Sequence, residues 1–491
     1  MKNSMQIELA PGLWISRVLT GLWQVADLER DGKSLDPAAM IPYMQAYTDA
    51  GFTTFDMADH YGSAEVIAGA FRQAFAERHS DKELPQLLTK WVPEPGKVAP
   101  ETVREAVERA LSRLQAEQID LMQYHAWSYP DPSWLDTLFV LQELKAEGLI
   151  KHLGVTNFDA AHLRIARASG IELVSNQVCY SLLDQRASGE MRAVCEEYDV
   201  KLLAFGTLAG GFLSERWLGK PEPAVDEGYT WSQMKYKRFI DAAGSWEDFQ
   251  ALLCCLDEIA RKHSVSMANV ASRFMLDEPH VAGVILGARL GQSEHIGENK
   301  QLMGITLDDA DRAAMAAVQS AFRPIPGDCG DEYRKPPFLT ASGDLSHHVK
   351  GFPAPYQTET RANGTQIALS GTYWEDMAGF CRAIRKGNTI KVSGTTATHG
   401  DLMIGGDDLK AQTHFVIDKI EGAIISLGGT LADVDRTRIL VNDVADWEPI
   451  AIAHGERFKD IQPANTLVEA KLVGAGYRVE IEAEATIVSD Q

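Results

Sequence analysis

The chain has 491 residues, with 47 Lys and Arg against 69 Asp and Glu, a formal net charge of −22 and a pI near 5.0. So acidic a chain repels phosphate, which argues against nucleic acid or an anionic membrane surface as a partner. At 45% hydrophobic and 24% charged residues the composition is globular, and the length exceeds what one α/β barrel needs, so a second domain is expected. No apolar run approaches the roughly 18 residues of a membrane span, and MKNSMQIELAPG lacks the apolar stretch of a signal peptide. Six scattered cysteines show no C-x-x-C or Cys/His ligand spacing, which suits free thiols, no metal site and a cytoplasmic location. Asn363-Gly364-Thr365 matches a glycosylation sequon and is read as a turn.

In chain order, eight short apolar runs are read as strands. They are RVLTG (17–21), FTTFDM (52–57), PQLLTK (85–90), IDLMQY (119–124), IKHLGV (150–155), LVSNQ (173–177), VKLLAF (200–205) and GVIL (283–286). Helical patterns lie between them. Asp36-Pro37 and Asp131-Pro132 open two helices that Gly51 and Gly148 close. In PETVREAVERALSRLQ the residues Val103, Val107, Ala110, Leu111 and Leu114 recur at helical spacing. Strands alternating with helices are the sequence form of a parallel sheet, and eight of them close into a (β/α)8 TIM barrel whose chemistry belongs at the strands' C-terminal ends.

Asp56, Tyr61, Lys90 and His125 sit at or just beyond such ends. A tyrosine with its ordinary pKa near 10 is a weak acid at neutral pH, and a nearby ammonium lowers that value by roughly 1–3 units. Lys90 supplies such a charge, Asp56 holds Lys90, and His125 can hydrogen-bond a carbonyl oxygen. Together they form a general acid with an oxyanion clamp, suited to protonating a carbonyl oxygen as hydride reaches the carbon. Singly, each would more often be structural, with Asp56–Lys90 a plain ion pair.

The spacing of these four, and the words GFTTFDMADHYGSAE, LLTKW and IDLMQYHAW, resemble the catalytic tetrad of the aldo-keto reductase family. The resemblance implies an NADPH-dependent oxidoreductase that reduces an aldehyde or ketone, or oxidises the matching alcohol or sugar. NADP(H) is the implied cofactor, with NAD(H) as the alternative. Thr156, Asn157 and Gln177 match the family's contacts to the nicotinamide carboxamide. Phe205 stands where a ring-stacking tyrosine is usual, and Gly206, Thr207 and Leu208 would approach the pyrophosphate. Gly287, Arg289, Glu298 and Asn299 match phosphate and adenine contacts, although this loop is longer than the commonest version and His295 replaces a glutamine. Trp23, Trp127 and Tyr129 are the expected walls of the substrate pocket. Residues 214–244 resemble a long loop found among sugar and short-chain aldehyde oxidoreductases of the family.

From Pro324 to Pro355 both periods vanish, and the six prolines and four glycines of this stretch read as linker. His347-His348 lies within it, without a carboxylate or cysteine at ligand spacing. The expected domains are a barrel over 1–323, a linker over 324–357 and a second module over 358–491. In that module strand-like TQIALSG, NTIKVSG, TRILVND, NTLVEAKL and YRVEIEAEATIV surround two helical stretches, 407–429 and 445–458, giving an α+β unit with a largely antiparallel sheet.

RAIRKGNTIKVSGTTATHGD, TRILVNDVADWEPIAIAHGERF and VEIEAEAT resemble the Rid family of reactive-intermediate deaminases. That likeness implies a chorismate-mutase-like fold and a homotrimer, with barrels at its periphery on flexible linkers. The family's substrate-anchoring arginine reads Asn465 here, within Pro463-Ala464-Asn465-Thr466, while Glu480 matches a water-positioning glutamate. A trimerising or ligand-holding role is therefore expected of the module rather than imine hydrolysis. Two other readings stand beside the reductase: a bifunctional reductase and imine/enamine hydrolase, and a cofactor-sensing binding protein of the kind that potassium-channel β-subunits make from this barrel.

Overall fold

The computed structural model of the protein describes residues 5–29, 31–225, 228–337, 339–340, 349 and 351–488. His347-His348 falls outside them. A hairpin of β1 (Gln6–Ala10) and β2 (Leu13–Ser16) precedes eight parallel strands. These are β3 (Val18–Gly21), β4 (Thr54–Asp56), β5 (Gln86–Trp91), β6 (Ile119–Tyr124), β7 (Ile150–Thr156), β8 (Leu173–Cys179), β9 (Lys201–Phe205) and β10 (Val281–Gly287). They close into a barrel in the order β10-β3-β4-β5-β6-β7-β8-β9. All eight expected runs are strands of this barrel. The hairpin was not expected, although the Pro11-Gly12 step between two apolar runs is a turn signal. Its Leu13 and Ile15 pack with Leu19, Leu88, Leu121 and Leu203 of the strands, each such side chain contributing about 1.5–3 kcal/mol by burial. The hairpin thus seals the strands' N-terminal end, and the polar side chains gather at the other.

The barrel helices follow their sequence signals. Asp36 caps Pro37–Asp49 by accepting from the Ala38 N–H, and Pro100–Leu114 buries Val103, Ala106, Val107, Ala110 and Leu114 against the strands.

The second module is a seven-stranded mixed sheet in the order β11-β12-β13-β14-β19-β17-β18. Its strands are β11 (Gln357–Thr360), β12 (Gln366–Leu369), β13 (Ala383–Lys386), β14 (Thr389–Thr396), β17 (Val434–Val441), β18 (Ala464–Glu469) and β19 (Val479–Thr486), with the small hairpin of β15 (Thr398–His399) and β16 (Leu402–Met403) beside it. Only β17 and β18 run parallel. On β19, Val479, Ile481, Ala483 and Ala485 are buried and the residues between them are not. Along helix Leu409–Ser426 the buried positions run all round the axis, because the sheet covers one side and barrel helix Ala160–Ala168 the other.

That second contact corrects the expectation of a barrel on a flexible tether. Asp408 accepts from the Arg164 guanidinium and from the Tyr198 hydroxyl, each at 2.6 Å, and the Gly405 N–H donates to Ser169 Oγ at 3.0 Å. His162 meets Asp418 at 2.8 Å. The first part of the presumed linker is likewise built into the barrel. Asp331, Glu332 and Tyr333 form one buried helical turn and Arg186 holds Glu332 at 2.9 Å. Proline and glycine here shape a tight path over the rim instead of loosening it.

Candidate active site

Parallel register places the site. Lys90 on β5 pairs with Gln123 on β6, and Asp56 closes β4 beside Leu88. Strand alternation points Leu121, Gln123 and the following His125 to one side. Lys90 Nζ donates to Asp56 Oδ2 at 2.7 Å, with only 4% of either side chain exposed. The other carboxylate oxygen of Asp56 accepts from Gln177 Nε2 at 2.7 Å and from Gln123 Nε2 at 3.3 Å. Three donors thus fix Asp56. Burial lowers the pKa of the Lys90 ammonium, while Asp56 opposes that shift. The ammonium lies 5.0 Å from the centre of the Tyr61 ring, and Trp23 packs edge-on against Tyr61 at 4.9 Å.

His125 is fully buried. Its backbone N–H donates to the Trp91 carbonyl at 3.1 Å, its Nδ1 lies 3.4 Å from Asn157 Nδ2, and the Trp127 ring abuts it at 4.5 Å. Trp127 is fixed in turn by its indole N–H, which donates to the Pro93 carbonyl at 2.6 Å. The structure therefore brings Asp56, Tyr61, Lys90, His125, Trp23 and Trp127 into one cluster. A cavity of about 320 Å³ opens beside it, lined by Trp23, Glu29, His60 and Trp231 among others. Trp231 begins a helix, Trp231–Ala243, in the long loop.

Tyr129 departs from the expectation of a pocket wall. Its ring stacks on His162 at 3.4 Å and 5° and edges against Trp134 and Phe158. A flat apolar ring between other rings is better buried than one facing solvent, so Tyr129 joins the packing under the second module.

The residues expected to hold a cofactor line the neighbouring strand ends. Asn157 adopts a left-handed conformation, φ 59°, which asparagine tolerates well, and its buried Oδ1 has no hydrogen-bond partner among the described residues. Thr156 Oγ1 donates to the Gln177 carbonyl at 3.0 Å. The Gln177 amide nitrogen is taken by Asp56 and by Gln123 Oε1, so only its amide oxygen is left for a ligand. Phe205 ends β9, and Lys235 Nζ sits 5.2 Å above its ring. Gly206, Thr207 and Leu208 follow Phe205; the Thr207 hydroxyl lies 3.5 Å from Ser272 Oγ. Beyond β10 and Gly287, Arg289 pairs with Asp27 at 3.3 Å, His295 contacts Glu298 at 2.6 Å and Asn299 is buried. An orphaned acceptor at Asn157 and a cation past β10 suit an amide-bearing, phosphorylated ligand.

Four residues of the site escaped sequence reasoning. Gln123 was legible, since it stands two positions before His125 on the same strand face. Tyr333, 5.7 Å from the His125 ring, and Lys235, whose Nζ donates to the Tyr333 hydroxyl at 2.5 Å, come from the connector and the long loop. Glu332 reaches Lys235 at 3.8 Å. No local pattern announces these three.

A model of the aldo/keto reductase family matches residues 17–320. The chain belongs to this family. A second model, described as Endoribonuclease L-PSP, matches residues 374–487 and coincides with the Rid likeness, so the aldo/keto reductase barrel is followed by a Rid domain. Protein tas of Escherichia coli (strain K12) is 28% identical over 285 residues, covering 53% of this chain and 77% of that protein. The NADH-specific methylglyoxal reductase of the same organism is 28% identical over 229 residues, covering 46% of this chain and 66% of that protein. Among solved structures, the glycerol dehydrogenase of Gluconobacter oxydans shares the fold, with 24% identity, a TM-score of 0.53 and coverage of 67% of this chain and 98% of that one. Family membership makes this chain an oxidoreductase. No helix among the described residues is long and apolar enough to cross a membrane.

Proposed function

We propose that the barrel reduces an aldehyde or ketone with NADPH, or runs the reverse oxidation. The observation that carries this reading is the sealed Lys90–Asp56 pair lying under Tyr61. Bound NAD(P)H would supply the hydride, held by Thr156, Asn157 and Gln177 at the carboxamide, Phe205 to Leu208 along its length, and Gly287, Arg289, Glu298 and Asn299 at the adenosine end. Tyr61 gives its phenolic proton to the substrate oxygen. Lys90 stabilises the phenolate that remains, and its lowered pKa eases return of a proton along the same path. Asp56 keeps Lys90 aimed at Tyr61. His125 donates a hydrogen bond to the same oxygen, and Trp23 and Trp127 exclude water from it. Arg289 favours the 2′-phosphate of NADPH, while the NADH-specific relative keeps NADH in the test.

The Rid domain serves for assembly or ligand holding. Asn465, whose Nδ2 donates to Thr437 Oγ1 at 2.8 Å, offers no guanidinium to a substrate carboxylate. Steady-state assays of the full chain with NADPH and with NADH against aldehydes, ketones and sugars test the reading. Oxidation of either cofactor that depends on the carbonyl supports it. Tight cofactor binding without turnover on any carbonyl would favour a binding protein instead.

A further inference from the structure

The loop from His125 to the helix Ser133–Ala146 carries Trp127, and three separate parts of the chain grip it. From the connector, Arg334 donates twice to the Ala126 carbonyl, at 2.9 and 2.6 Å, and its guanidinium lies 4.5 Å from the centre of the Tyr129 ring. From the barrel, His162 stacks on the other atoms of that loop through Tyr129 at 3.4 Å. From the Rid domain, Asp418 fixes His162 Nε2 at 2.8 Å while Asp159 fixes Nδ1 at 2.5 Å. Asp418 is itself held by Arg457 at 2.6 Å. The Rid helix also touches the loop directly: a Cβ built on Gly422 would overlap the Pro130 carbonyl oxygen. All of His162, Asp159 and Asp418 are buried.

A stacked ring pair is free to slide unless something fixes the partner ring. Here both nitrogens of His162 are tied to carboxylates, one from each domain. The imidazole plane is thereby set, Tyr129 lies against it, and two residues earlier Trp127 is pressed to His125. We infer that His162 and Asp418 are positioning residues through which the Rid domain holds the Trp127 loop against the reductase site. The inference deepens the proposed reductase reading and rests on it for its kinetic consequence. Its physical ground is general: binding and rate depend on sub-ångström placement of the groups around a reacting carbonyl.

The test uses the full chain and its variant Asp418→Asn, which keeps the shape and removes the charge. Two readouts are taken, kinetics with 4-nitrobenzaldehyde and NADPH, and amide hydrogen exchange over residues 126–131. The expected result is a KM for the aldehyde raised about tenfold, with a smaller change in kcat and an unchanged dissociation constant for NADPH, together with faster exchange in the loop. A lowered unfolding midpoint with unchanged KM and unchanged exchange would overturn the inference, since a purely structural contact would give that. Should Asp418→Asn fail to fold, Gly422→Ala pushes on Pro130 with every charge left in place and decides the same two readouts. If the wild-type chain turns over no carbonyl, the reductase reading falls by itself, and loop exchange in the variants still decides whether the Rid domain holds the loop.

Discussion

Two buried clusters of paired charges, one at the barrel rim and one at the domain interface, differ in what lies beside them. At the rim, Lys90 and Asp56 neutralise each other beneath Tyr61, while neighbouring Asn157 keeps a buried acceptor unmatched. At the domain interface, His162 lies between Asp159 and Asp418, and Asp418 also carries Arg457. There every charge has a partner within the chain. Burial of charge alone therefore does not mark a site. Nor does an unmatched polar group, since Tyr129 Oη and Trp134 Nε1 beside His162 are also buried without a hydrogen-bond partner among the described residues; what sets the rim apart is an ionised pair lying against Tyr61 next to a cavity.

If that distinction is right, the two clusters respond differently to damage. Tyr61→Phe should lower turnover by roughly 10²–10⁴ while NADPH still binds, the range for removing a positioned general acid; retained activity in a steady-state assay would sink the assigned role. Lys90→Met strands Asp56 in the interior, and breaking a buried pair in this way costs about 3–5 kcal/mol. Chemical denaturation should show that loss together with lost turnover, whereas the interface variant Asp418→Asn should raise KM about tenfold with a smaller change in kcat. Arg289→Ala should weaken NADPH by roughly 10–150-fold, the worth of one charge-assisted contact, and NADH far less. Because Asp27 already pairs with Arg289, the low end of that range is expected. Equal losses for both cofactors in a titration would mean that Arg289 packs on adenine.

The smallest effect is in pH. Burial opposes the His162 imidazolium, yet Asp159 and Asp418 raise its pKa above the ordinary value. A raised histidine contributes stability that is complete below about pH 6.5 and is lost as pH rises through the folded value. Burial and Asp159 push the Asp328 carboxyl up to about 7, so it adds to the same downward slope from about pH 4 to 7. Asp159 and Asp418, whose pKa values are lowered against burial by His162, act oppositely and only under acid conditions. Arg457, whose pKa Asp418 and Glu421 raise against burial, stays charged throughout. Denaturation midpoints should therefore fall more, or rise less, with pH above about 6.5 in the wild type than in His162→Asn, which keeps Asp328 and Lys419, the latter lowered to about 7 by burial, but cannot titrate at residue 162. Equal slopes would show that the imidazole is not charged in the fold.

The barrel and its rim were legible because each strand is a local word and its last residues are read in place. Gln123 could have been read by the same alternation. The interface was not, because His162 and Asp418 stand 256 residues apart in the chain, and a helix buried on two sides shows no polar stripe to betray its second partner. Tyr129 was misplaced for that reason: its neighbours in sequence belong to the site, its neighbours in space to the other domain. The connector misled in another way, since proline and glycine report local backbone shape and say nothing about what lies beneath.

Tyr333 against His125 gives the connector a consequence in time. The match to the family model ends at residue 320, so a ribosome that has just released that much chain has made all that the model covers. The pocket at that moment still lacks Glu332, Tyr333 and Arg334, and the loop they grip is waiting for a helix that begins at Leu409. Synthesis at roughly 5–20 residues per second leaves several seconds between the two events. Throughout that interval the nascent barrel has its eight strands but not the contacts that hold the Trp127 loop.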